Sequence, residues 1–116
     1  MSTSLRTILK VAALTAALCC FQALAALAQE PVTIQISVQN HQFHSREIRG
    51  PANVPIILRI KNEDNAAMEF ESVSLRVEKI VAAKSEGIVR LRALAPGRYE
   101  FFDDFHQETR GILVIQ

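Results

Sequence analysis

From Pro31 to the C-terminus, apolar residues recur at every second position in short runs, and no stretch sustains the period of about 3.6 that a helix requires. Val32, Ile34, Ile36 and Val38 alternate with Thr33, Gln35, Ser37 and Gln39, the pattern of a strand with one buried face. A second run, Val54 to Ile60, follows Gly50-Pro51 and ends at the turn cluster Asn62-Glu63-Asp64-Asn65. Further strands are expected over Phe70–Val77, Gly87–Leu94, Tyr99–Phe102 and Gly111–Ile115. Ala95-Pro96-Gly97 marks the turn before Tyr99, because Pro and Gly pre-set turn dihedrals. Glu78 to Ser85 fits either an irregular crossing or a short strand. About seven short strands, with turn signals every 8–12 residues or so, predict an all-β fold, a Greek-key β-sandwich.

The first 28 residues have a different character. Arg6 and Lys10 give a short positive start, Val11 to Ala26 is almost wholly apolar, and Ala26-Leu27-Ala28 supplies a small-x-small cleavage pattern. Residues 1–28 are therefore expected to be a signal peptide and 29–116 the folded domain, exported to the periplasm. The apolar run, of roughly 16 residues, is short for a membrane span; a retained N-terminal anchor is the competing reading. Leu18 before Cys19, and Cys19 before Cys20, are not the small residues that a lipoprotein site wants.

This division changes what the composition means. The chain holds 13 Lys+Arg and 12 Asp+Glu; Arg6 and Lys10 belong to the leader, so the remaining 11 basic residues face all 12 acidic ones, a balance of −1. No basic surplus is left to meet phosphate, which argues against a general nucleic-acid binder. Both cysteines, Cys19 and Cys20, also lie in the leader. The domain thus has no disulfide, thiolate zinc site, cysteine nucleophile or blue-copper thiolate.

Candidate metal ligands lie in two segments. Tyr99 to Ile115 reads as a strand, a short loop carrying Asp103, Asp104 and His106, and a returning strand. Carboxylates and an imidazole on one tight loop can converge on an ion with little extra ordering entropy. In Met68-Glu-Phe-Glu-Ser72, period two puts Glu69 and Glu71 on one face and Met68 and Phe70 on the other. Each signal has a plainer explanation: a surface histidine, a solvated acidic turn, a Glu71–Arg76 pair, a methionine filling the core. His41 and His44 flank Phe43; one of them is placed to point to the same pole, with exposed turn histidines as the alternative.

The pattern Tyr99-x-Phe-x-Asp103-x-x-His106-x-x-Thr109-Arg-Gly111-x-Leu-Val resembles the C-terminal ligand loop of cupredoxins. Pro51 to Asp64 resembles the cupredoxin strand leading to the first ligand, and the likeness extends over residues 31–116. Asp103 stands at the position of the cysteine, Thr109 at that of the axial methionine and Met68 at that of the first histidine; only His106 is retained. The resemblance therefore implies a cupredoxin-like domain that is not a blue type 1 copper protein. Met68-Glu-Phe-Glu71 is similar to the Glu-x-Glu segment of cupredoxin-like domains in bacterial ferrous-iron permease systems.

What the resemblance implies is a metal-binding protein, for copper or iron, that assists ferrous-iron uptake by electron transfer or Fe(II) oxidation. Its partners would be the metal ion and an iron permease or periplasmic iron-binding protein. The implied ligands are Met68, Glu69, Asp103 and His106, with Glu71, Asp104 and His41 in weaker roles. Such ligands permit redox turnover without requiring it, so enzymatic activity stays open. Two other classes compete: a copper carrier or chaperone, favoured by the thioether of Met68, and a metal-free protein-interaction module, favoured by the loss of three usual ligands.

Overall fold

The computed structural model describes residues 30–116; the expected signal peptide lies outside them. The β-sandwich is as expected, but nine strands take the place of about seven. They are β1 (Val32–Gln39), β2 (Gln42–His44), β3 (Glu47–Gly50), β4 (Ile56–Asn62), β5 (Met68–Ser72), β6 (Val77–Val81), β7 (Glu86–Leu91), β8 (Gly97–Asp103) and β9 (His106–Ile115). One sheet has the order β2-β1-β4-β7, the other β3-β9-β8-β5-β6. Most neighbours are antiparallel, while β1–β4 and β3–β9 run parallel. Among the described residues no helix is long and apolar enough to cross a membrane.

The alternation read from the sequence is the alternation of burial. In β4, Ile56, Leu58, Ile60 and Asn62 point inward, while Arg59 and Lys61 are exposed. Ile36 and Val38 of β1 are fully buried, and Val32 lies at the exposed start of the strand. The expected strand over Phe70–Val77 is instead the hinge of a hairpin. Ser72 ends β5 with its hydroxyl donating to Glu100 O (2.6 Å) and accepting from Leu75 N–H (3.3 Å). The chain then turns back, with Arg76 at φ 55° and its N–H donating to Val73 O. Local hydrogen bonding to a serine hydroxyl thus overrides the strand propensity of Val73.

Asn62, expected in a turn, is a buried knot. Its Nδ2 donates to the carbonyls of Ala66, Val81 and Ala82, and its Oδ1 accepts from Asp64 N–H. One side chain therefore ties the β4–β5 loop to the end of β6, satisfying polar groups that water cannot reach.

Under the loops at this end of the sandwich, Phe101 stacks on Phe70 (5.1 Å between centroids) and meets Phe43 edge-on (4.9 Å). Phe43 comes from one sheet and the other two rings from its mate, so the trio joins the layers. Gly111 is opposite Phe101, and a Cβ there would lie 2.5 Å from two atoms of the ring. Phe101 is 1% exposed and is held between Phe43 and Phe70. We therefore expect Gly111→Ala to lower unfolding stability by about 1–3 kcal/mol. An unchanged midpoint in urea would show that the ring moves aside.

Candidate metal centre

The β8–β9 turn, Asp103 to His106, is built around a buried carboxylate. Asp103 is 1% exposed. Its Oδ1 accepts from the N–H groups of Glu69 (3.0 Å) and Phe105 (3.0 Å). Its Oδ2 lies 3.0 Å from His106 Nδ1. A carboxylate only accepts, so the His106 ring donates from Nδ1. The Asp104 N–H donates to Glu69 O, closing the connection between this turn and β5.

His41 lies against His106, with ring centroids 4.0 Å apart and planes tilted by 32°. It is held by the β1–β2 turn, in which Asn40 and His41 both have left-handed backbones, φ 53° and 54°. This is the geometry of a two-residue hairpin turn twisted to match its strands. Asp64 fastens the turn: its oxygens accept from the N–H groups of Asn40 (2.7 Å) and His41 (3.0 Å). Burial acts to raise the Asp64 pKa, but these two hydrogen bonds and the nearby His41 and Lys84 charges together hold it below the usual range. Asp64 Oδ2 also lies 3.8 Å from His41 Nδ1. From the other side, the buried Thr109 hydroxyl donates to His41 O (2.5 Å).

Neither Asp64 nor Thr109 was legible as part of this arrangement. Asp64 reads as a member of a turn cluster and Thr109 as a missing ligand. The usable signal was the pair of polar turns, Asn40-His41 and Asn62 to Asn65, flanking two strands that pair in parallel.

The sequence-derived ligands divide into two groups. Met68 is 2% exposed and packs in the hydrophobic core, opposite Val81 in the hairpin. Glu69 and Glu71 project from the other face of β5, as period two requires. There they meet Asp104, and the three residues offer carboxylate oxygens within 4.8 Å of one another. Glu69 reaches the Asp103–His106 pair through its backbone alone. His44 is exposed on β2, so His41 is the histidine that reaches the pole.

The carboxylate trio carries uncompensated like charge. Partial desolvation, then the charges of Asp104, Glu78 and Asp103, raises the Glu69 pKa above the ordinary glutamate value. For Glu71 the causes are partial desolvation, then the charges of Asp104, Glu78 and Glu69, with a carboxyl–carboxyl hydrogen bond to Asp104. Glu71 and Glu78 are direct register partners, an unfavourable cross-strand pairing. Among the described residues no lysine or arginine forms an ion pair with Glu69, Glu71 or Asp104, so the Glu71–Arg76 pair is not formed.

A thiolate copper centre does not fit here. Residues 30–116 contain no cysteine, and Asp103, at the thiolate position, already has both oxygens engaged. The donor chemistry that does fit is carboxylate oxygen at the trio and imidazole nitrogen at the pole, ligands suited to iron and to non-blue copper.

The two packed sheets and their strand order define a cupredoxin-type sandwich. Residues 10–115 match the cupredoxin-like domain family, and the chain belongs to that family. It is 37% identical over 83 residues to an uncharacterized protein of Rickettsia prowazekii (strain Madrid E); the match covers 71% of this chain and 66% of that protein, just under two thirds of its length. Among solved structures, it is similar to auracyanin A, a "blue" copper protein of Chloroflexus aurantiacus, with a TM-score of 0.63 and 15% identity over 75% of this chain and 100% of that one. It is also similar to the metal-binding domain of the Streptococcus pneumoniae Cu(I)-exporting ATPase CopA, with a TM-score of 0.64 and 16% identity over 76% of this chain and 97% of that one.

Two expectations follow. Asp103→Ala strands two partly buried N–H groups and should cost roughly 1–3 kcal/mol in urea unfolding, whereas Asp103→Asn keeps an acceptor for them and should cost less. Equal losses would remove the two-amide account. For Glu71 the pH dependence has a definite sign. A raised folded-state pKa means that its contribution to stability is present at acidic pH and is lost as pH rises through that pKa. Glu71→Gln should therefore raise Tm at pH 7, with the gain shrinking towards pH 4; a constant gain would point to packing instead.

Proposed function

We propose that this protein is an exported, periplasmic metal-binding member of the cupredoxin-like family that assists ferrous-iron uptake, with iron as the cargo and copper as the second metal it takes. The observation that carries the reading is the Glu69–Glu71–Asp104 trio, with oxygens within 4.8 Å and no partner cation among the described residues. Like charges held this close disfavour their own ionisation, and a divalent cation relieves that repulsion. An all-oxygen set suits Fe(II) better than Cu(I), which prefers thioether and thiolate. Met68, the one thioether of the domain, is committed to the core, which weakens the copper-chaperone alternative.

Export is supported by the composition of residues 1–28, and the iron role by the likeness of Met68-Glu-Phe-Glu71 to Glu-x-Glu domains of ferrous-iron permease systems. An iron permease or a periplasmic iron-binding protein is then the natural partner. Copper is supported by the solved neighbours, auracyanin A being described as a copper protein and the CopA domain as holding Cu(I). With no thiolate in the domain, the copper-loaded protein should lack strong visible absorption near 600 nm.

Anaerobic calorimetric titration of Fe(II) into wild type, Glu69→Gln and Glu71→Gln tests the reading. Stoichiometric binding should weaken roughly tenfold or more in either variant, about 1.4 kcal/mol or more. In the parent cell, Glu71→Gln should lower ferrous-iron accumulation under iron limitation. Fe(II) binding of equal strength in wild type and both variants would remove the trio as the cargo site.

A further inference from the structure

We infer that a second copy of this chain docks on the outer face of the five-stranded sheet, Arg110 of each copy supplying the cation that the carboxylate trio of the other lacks. The inference rests on the charge of the trio and not on which metal it takes.

One row of side chains crosses four neighbouring strands. Register pairs Arg110 of β9 with Phe102 of β8, Phe102 with Glu71 of β5, and Glu71 with Glu78 of β6. Phe101 and Gly111 are buried between the sheets, so Phe102 and Arg110 take the outer face, as Glu71 does. The row is positive at one end, aromatic in the middle and negative at the other. Arg110 lies over its own Phe102 ring, 4.9 Å from the centroid. Two strand spacings, roughly 9.5 Å, separate it from Glu71. Arg46, just before β3, extends the positive side, and neither it nor Arg110 is in an ion pair among the described residues.

A two-fold axis along β8 makes the opposite ends meet. β9 and β5 flank β8 on either side, so half a turn about that strand lays β9 of one copy over β5 of the other. Arg110 then faces Glu71 of the second copy, twice by symmetry, and Phe102 meets its own counterpart. β3 falls over β6, which brings Arg46 towards Glu78 of the second copy. Sheets packed face to face keep their strands nearly aligned, so the rows stay in register. Beside Phe102 runs a groove of about 570 Å³ bordered by Ile112 and by Val73, which is 79% exposed; these two provide the apolar contact. Glu100 also faces its counterpart near the axis, but Arg98 lines the same groove, so the axial row carries no net charge. An acidic segment of another protein would satisfy the arginine end alone, whereas a second copy satisfies both ends. Arg110 and a divalent ion neutralise the same carboxylates, so the dimer is the metal-free state of the trio.

Charge reversal tests the pairing. Arg110→Glu sets carboxylate against carboxylate at both symmetric contacts, and Glu71→Arg sets guanidinium against guanidinium. In metal-free sedimentation equilibrium, each variant alone should dimerise at least about tenfold more weakly than wild type. Mixed in equal amounts, the two should form a heterodimer about as tightly as wild type pairs with itself, because each supplies the charge the other has lost. Both substitutions are on the solvent face, and Glu71→Arg relieves the cross-strand repulsion with Glu78. Raising the salt to about 1 M, where screening acts within about 3 Å, should weaken the wild-type dimer. Monomeric wild type, a reversal variant that dimerises as wild type does, or a mixture that associates no better than its components would each overturn the proposal. The masses are read without metal, so this outcome is separate from that of the Fe(II) titration.

Discussion

The β8–β9 end of the sandwich depends on one buried carboxylate. Asp103 receives two backbone N–H groups and a ring N–H from three directions: its own turn, the neighbouring strand and His106. One of these contacts, from the Glu69 N–H, is between elements, so the group that orients His106 also docks β5 against the β8–β9 turn. Removing a carboxylate from water is costly unless its lone pairs are satisfied, and here three donors satisfy them. Here the carboxylate is a structural acceptor that orients the His106 ring.

Thr109 has a structural part as well. At the position that resemblance equates with the axial methionine, its hydroxyl instead anchors the carbonyl of His41. Asp103 and Thr109 together brace His106 and the β1–β2 turn that carries His41. Beneath it, the Phe43–Phe70–Phe101 trio and the Asn62 knot hold the two sheets and the loops in fixed relation. On the adjoining face of β5, Glu69 and Glu71 reach solvent beside Asp104, so oxygen and nitrogen donors lie close in sequence yet are kept apart by the pleat.

Much of this was legible in the chain. The alternation from Val32 to Gln39 and from Ile56 to Asn62 has one physical reading, because a pleated strand buries every second side chain. The opposite facing of Met68 and Glu69 follows from the same rule, although the resemblance placed both in one ligand set; the structure buries Met68 in the core and leaves Glu69 on the outer face. The Phe70–Val77 hairpin was less visible, since its turn depends on a serine hydroxyl bonding to a distant carbonyl, Glu100 O. That bond exists only once β8 lies beside β5.

The sequence by itself determined the all-β class, the absence of a thiolate from residues 30–116 and the two polar segments rich in potential ligands, because these depend on local periodicity and on which atoms that segment possesses. Only the tertiary structure decided that His41 meets His106 across 65 residues, that Asp64 clamps the turn carrying His41, and that Glu71 and Asp104 share a face. Strand order and register set these neighbours. Neither is written in a period of two, which says which face a side chain takes but not what it finds there.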